Sequence, residues 1–180
     1  MNNFLRQIGL ITDLTLQLPV ERADFEKALR LHLDKPQADF LDIFSSSDKL
    51  YKGTVLHNSF EIRRRRRFFD GNMSFVRTKG QFTQKSDKLI IDLELNAFHP
   101  LMMPFVVLAL GIYLWIAVFT FTSEGAGASQ PWIPFFILIH AAVMFGIPYI
   151  IMRRRLKLTR YEIERDLFFM IKDMLPAKQY

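Results

Sequence analysis

Five consecutive arginines, Arg63, Arg64, Arg65, Arg66 and Arg67, stand between Glu61-Ile62 and Phe68-Phe69 in the stretch FEIRRRRRFF. A guanidinium is permanently charged and presents planar donors that match carboxylate and phosphate oxygens, so this run is chemistry for anions. Asp70-Gly71 follows, a pair suited to the positive φ angles of a two-residue hairpin turn. Such a turn sets Arg64 opposite Arg77, Ile62 opposite Lys79 and Arg66 opposite Phe75. One face of the hairpin then carries Arg64, Arg66, Arg77 and Lys79, with Phe68, Phe69 and Met73 at its tip. Like charges directly opposed destabilise a sheet unless an anion lies between them. Anionic phospholipid headgroups are the expected ligand, each nearby basic residue contributing about 1 kcal/mol. On that reading Arg63 to Arg67, Arg77 and Lys79 meet the headgroups, and the apolar tip enters the interface. The plainer alternative is a solvated hairpin that only enforces membrane topology.

A second candidate is His140, which lies inside an uncharged segment, 131–152, PWIPFFILIHAAVMFGIPYIIM. Another uncharged segment, LMMPFVVLALGIYLWIAVFTFT, covers 101–122. A hydrocarbon core about 30 Å thick needs roughly 20 apolar helical residues, so each segment is long enough to span it. The joining stretch 123–130, SEGAGASQ, is too short to be a domain and predicts a tight hairpin. Counting outward from that loop sets His140 level with Tyr113, and Ala142 level with Gly111. A Tyr113 to His140 hydrogen bond would satisfy a neutral imidazole within the bilayer, a structural role. Neither span holds a second acid or base, which argues against proton relay. Gly111, Ala142 and Gly146 are small residues expected to let the helices approach closely.

Other chemistry is thinly represented. His32, His57 and His99 are scattered, without HxxxH or HExxH spacing, so no metal site is expected. No phosphate-binding glycine loop or GxSxG turn is present, and no cofactor is expected. With no cysteine, disulfides, thiolate metal sites and cysteine nucleophiles are excluded.

The elements that must position these residues follow from periodicity. Leu14, Leu16 and Leu18 alternate over 12–18 and predict a strand ended by Pro19. Phe25, Ala28, Leu29 and Leu33 fall on one face of a helix over 20–34, which Pro36 prevents from continuing. Strands are predicted over 51–64, with a break near His57-Asn58-Ser59, and over 73–83 and 88–98. Asp92 and Glu94 fall on the polar side of the last of these, facing solvent or a basic neighbour. Within 156–175, Ile163, Leu167, Met170, Ile171 and Met174 recur at helical spacing among four basic and four acidic residues. A helix lying on anionic lipid would be more basic, so this one is expected to pack on the sheet.

The predicted fold is thus an α+β membrane protein. A β-α unit and an antiparallel β-meander over 1–98 are interrupted by a transmembrane hairpin at 99–152 and closed by an amphipathic helix in 153–180. The net charge of +6 is carried by 61–99 and 153–180, the segments flanking the hairpin. That distribution tracks the membrane rather than one face of a domain, so no nucleic acid is expected as a partner. Arg153, Arg154, Arg155 and Lys157 follow the second span, whereas 123–130 holds no Lys or Arg. The positive-inside rule predicts both termini in the cytoplasm of an inner (plasma) membrane protein. The expected role is a non-enzymatic scaffold, sensor or accessory subunit that meets the bilayer and a protein partner or a second copy. Two other classes are open to the sequence. One is an oligomeric transporter or channel lined by His140, Tyr113, Thr120 and Thr122. The other is a headgroup enzyme using His99 and the arginines.

Overall fold

The structure is a computed structural model that describes residues 2–35, 49–65, 76–99, 102–122 and 132–172. It is α+β, with a six-stranded mixed sheet and four helices among the described residues. The chain divides into two compact units, one formed by Met1–Phe98 with Arg153–Tyr180 and the other by His99–Met152.

In the first unit a short helix α1 (Asn2–Gln7) precedes strand β1 (Ile11–Leu18) and helix α2 (Arg22–His32). A two-residue strand β2 (Leu33–Asp34) follows, then β3 (Tyr51–Val55), β4 (Ser59–Arg64), β5 (Arg77–Lys85) and β6 (Lys88–Asn96). The spatial order is β1-β6-β5-β4-β3-β2. Every pairing is antiparallel except β2 with β3. Side chains alternate across a strand, so the register sorts the sheet into two faces. Leu89, Ile91, Leu93 and Leu95 of β6 share one face with Phe82 of β5 and Phe60 and Ile62 of β4, and all are almost fully buried. The rings of Phe25, Phe60 and Phe82 meet with centroids 5.6 to 6.1 Å apart. Phe60 lies directly over Gly80, where a Cβ would come within 2.3 Å of its ring, so only glycine leaves room for the cluster.

Two elements cover this face. Helix α2 contributes Phe25, Ala28 and Leu29 at the spacing of one helical face. The second is the C-terminal part of a 41-residue helix, α4 (Trp132–Lys172), which buries Leu156, Ile163, Leu167 and Ile171. The helix runs without a break through residue 152, the expected end of the second span. Arginine and lysine are good helix formers, and no glycine or proline falls between Tyr149 and Lys172, so nothing stops the helix where its composition changes. The opposite face of the sheet is polar. There Arg6 bridges Asp13 and Glu94 at 2.9 and 2.6 Å, and Thr15 donates to Asp92 at 2.7 Å.

The predicted hairpin register is corrected by one residue. Arg63, not Arg64, opposes Arg77; Ile62 opposes Thr78 and Glu61 opposes Lys79. A one-residue slip exchanges faces. Arg64 therefore shares the packed face with Ile62, while Arg77 and Lys79 lie on the polar one. Asp70-Gly71, the basis of the predicted register, lies outside the described residues.

The second unit holds helix α3 (Met102–Thr122) and the first part of α4. Both helices are long and apolar enough to cross a membrane. Their side chains are bare in the isolated chain: Val107 is 65% exposed, Trp115 68% and Phe135 67%. Exposed apolar surface on this scale marks contact with lipid or protein rather than water.

Candidate functional site

The structure disperses the arginine run. Arg64 forms an ion pair with Glu162 of α4 at 2.5 Å, with only 15% and 13% of the two side chains exposed. Arg65 is buried and bonds Asp34 at 2.6 Å. These two guanidinium groups tie β4 to α4 and to β2. Arg63 and Arg77 stay side by side on the polar face, and Lys79 sits between Glu61 and Glu94 in the next row. The Arg77 Nε is shielded from solvent and has no hydrogen-bond partner among the described residues. Arg66, Arg67, Phe68, Phe69 and Met73 lie outside the described residues. Expected as a single basic face, the described cations are thus split by the register into two structural ties and a small cluster around Arg63 and Arg77.

That cluster stands at one end of the sheet. Lys52, Arg63, Arg77, Asn96 and Ile11 form a continuous cross-strand row, with Asp34 beside Lys52. Lys52 itself is buried, at 2% exposure. Immediately beyond the row, Ala97 donates its N–H to Leu10 at 2.9 Å. Arg153 also reaches this end, its guanidinium 3.6 Å from the point a Cβ on Gly9 would occupy. The two places where the first unit's chain is interrupted, after Phe98 and before Arg153, are therefore at the end that carries Arg63 and Arg77.

A pair that the sequence reading passed over lies on the packed face. The buried phenol of Tyr51 donates to the Asp166 carboxylate at 2.7 Å. Burial, then the bond to Asp166, raises the Tyr51 pKa far above the ordinary phenol range. Arg165 holds the other oxygen of Asp166 at 2.9 Å. The pair lines a largely apolar cavity of about 670 Å³ with Leu31, His32, Lys49, Leu50, Phe169 and Met170. Phenol and carboxylate occupy each other, so the arrangement locks helix to sheet. The only signal in the sequence was a tyrosine in a strand and an aspartate in a helix 115 residues later.

Because its pKa is raised in the folded state, Tyr51 stabilises the fold fully below the ordinary phenol pKa of about 10, and that contribution fades as pH rises beyond it. Tyr51→Phe is expected to cost about 1–2 kcal/mol at neutral pH. The gap between the two proteins should narrow above pH ~10, which unfolding midpoints measured across that range would reveal. A gap independent of alkaline pH would refute the assignment.

In the second unit, Tyr113 Oη lies 2.6 Å from His140 Nδ1, and the ring centroids are 5.9 Å apart. Phe136 stacks near-parallel to the imidazole, with ring centroids 6.1 Å apart. Thr120 and Thr122 donate to Ile116 and Val118 one turn back in their own helix, which satisfies their hydroxyls locally. Among the described residues nothing lies within 4 Å of a Cβ placed on Gly111 or Gly146, and Ala142 is exposed. His99 is buried where α3 begins, its carbonyl accepting from Met102 N at 2.9 Å. No group of three or more potential metal ligands occurs among the described residues. Comparison with known proteins finds no matching family, no similar curated protein and no similar solved structure.

Proposed function

We propose that this chain is a two-pass inner-membrane protein with cytoplasmic termini, working as a non-enzymatic scaffold, sensor or accessory subunit. Its α+β unit is held at the bilayer surface, with the Arg63 and Arg77 end toward anionic headgroups. One observation carries the reading: Phe98 and Arg153, where the chain leaves the first unit and returns to it, belong to the sheet end where these guanidinium groups stand together. A tether at that end keeps both within reach of phosphate oxygens. The buried Nε of Arg77, without a hydrogen-bond partner among the described residues, adds a donor suited to one. The role of a scaffold suits a domain in which buried charge holds helix to sheet, as with Arg64 and Glu162.

The test uses the full chain in two steps. Because the chain has no native cysteine, single cysteines at Asn2 and Glu124 can be labelled with an impermeant maleimide on intact cells. Glu124→Cys should react from outside and Asn2→Cys should not. In nanodiscs, the unfolding midpoint should then be higher with anionic than with neutral lipid. Arg63→Gln combined with Arg77→Gln should remove that difference, worth about 1 kcal/mol per residue, and added salt should mimic it through screening. Equal midpoints in the two lipids would remove the headgroup contact, and reversed labelling would remove the topology.

A further inference from the structure

Tyr113 and His140 satisfy each other only in part. A neutral imidazole has one donor and one acceptor nitrogen, and a phenol can both donate and accept. Their 2.6 Å contact uses one of each. If the phenol donates, an Nε2–H and a phenol lone pair remain; if Nδ1–H donates, the phenol O–H and the Nε2 lone pair remain. Either way one donor and one acceptor are left over, and among the described residues neither side chain has another hydrogen-bond partner. Both line a groove of about 300 Å³ between α3 and α4, whose other walls include Phe105, Ile112, Phe136 and Met144. In hydrocarbon no water satisfies such a pair.

We propose that a second copy of this chain closes the groove, so that each His140–Tyr113 pair bonds its counterpart across a two-fold axis. Acyl chains have neither donor nor acceptor at this depth, and the backbone groups of a neighbouring helix are already bonded to one another. The leftover set of one copy is the complement of the same set in another. An isologous contact therefore joins donor to acceptor twice and completes a ring of four hydrogen bonds, whichever tautomer is present. Apolar side chains of the second copy fill the groove. The inference rests on the membrane reading of α3 and α4, and it gives the His–Tyr pair a reason to be at the surface of the hairpin.

The experiment again exploits the absence of native cysteine. Membranes carrying the chain are first extracted with alkaline carbonate. Release of the chain would defeat the membrane reading, and the dimer with it; retention leaves the dimer to be judged alone. Single cysteines are then placed in the groove, as Ile112→Cys or Met144→Cys, and outside it at exposed positions, as Leu114→Cys or Leu138→Cys. A short bismaleimide in native membranes should give dimers from the groove positions and several-fold fewer from the others. Tyr113→Phe, added to Ile112→Cys, should weaken dimerisation about tenfold, the size expected for two hydrogen bonds inside a bilayer. Tyr113→Phe also loosens the hairpin within one chain, so the groove cysteines in the otherwise native sequence carry the geometric test. Monomer throughout, crosslinking favoured at Leu114 or Leu138, or a lipid-soluble carbonyl or hydroxyl compound copurifying in place of the dimer would overturn the proposal.

Discussion

Deleting residues 153–180 is expected to abolish the fixed tertiary structure of the sheet unit, although its six strands all precede the deletion. The lost segment supplies Leu156, Ile163, Leu167 and Ile171 to the core, each at most 4% exposed. At about 1.5–3 kcal/mol per fully buried aliphatic side chain, the four together contribute roughly 6–12 kcal/mol. Whole domains are stable by only about 5–15 kcal/mol. The deletion would also remove Glu162 from Arg64 and Asp166 from Tyr51. Near-ultraviolet circular dichroism and limited proteolysis of the shortened chain in detergent provide the measurement. A native spectrum and protected β5 and β6 strands would show that the strands and α2 suffice without the C-terminal helix.

Arg64→Met should be the most damaging single substitution of a charged residue, at about 3–5 kcal/mol. It leaves the Glu162 carboxylate, 13% exposed, without its cation. Removing one member of a shielded ion pair exposes the survivor to the full desolvation penalty, whereas replacing both by apolar groups is often nearly neutral. Adding Glu162→Leu to Arg64→Met should therefore recover most of the loss. Denaturant unfolding of the wild type, the two single variants and the double variant forms a closed cycle. A double variant as unstable as Arg64→Met alone would mean that Arg64 acts by packing its stem rather than by neutralising Glu162.

The same residue shows where legibility stops. Alternation of Leu14, Leu16 and Leu18, and of Leu89, Ile91, Leu93 and Leu95, marks β1 and β6 because the period of a strand is local. The polar break at His57-Asn58 separates β3 from β4 for the same reason. Register is not local in that sense. It depends on how many residues the connection between Arg64 and Arg77 takes up, and one residue moves Arg64 from the polar face to the packed one. The partners that define the site are equally hidden, since Glu162 and Asp166 lie about a hundred residues from Arg64 and Tyr51 and leave no local pattern. By contrast, setting Tyr113 level with His140 needs only a loop length and the helical rise. Continuity of α4 was obscured because an abrupt change from apolar to basic composition resembles a boundary. Composition sets the surroundings of a helix, while its end requires a residue that breaks the hydrogen-bond ladder.

At 1.5 Å per residue, the 41 residues of α4 amount to about 60 Å of helical rise. Its one internal proline, Pro148, lies in the apolar part, and from Tyr149 to Lys172 there is neither glycine nor proline to serve as a joint. A twist applied to the stretch 153–172 meets no such joint within it. It must either turn the stripe of Ile163, Leu167 and Ile171 against the sheet or be resisted by the bonds of Glu162 to Arg64 and Asp166 to Tyr51. Within the first unit the C-terminal part of α4 is thus keyed to the sheet by an apolar stripe and two polar ties at once, so that it turns only if both give way.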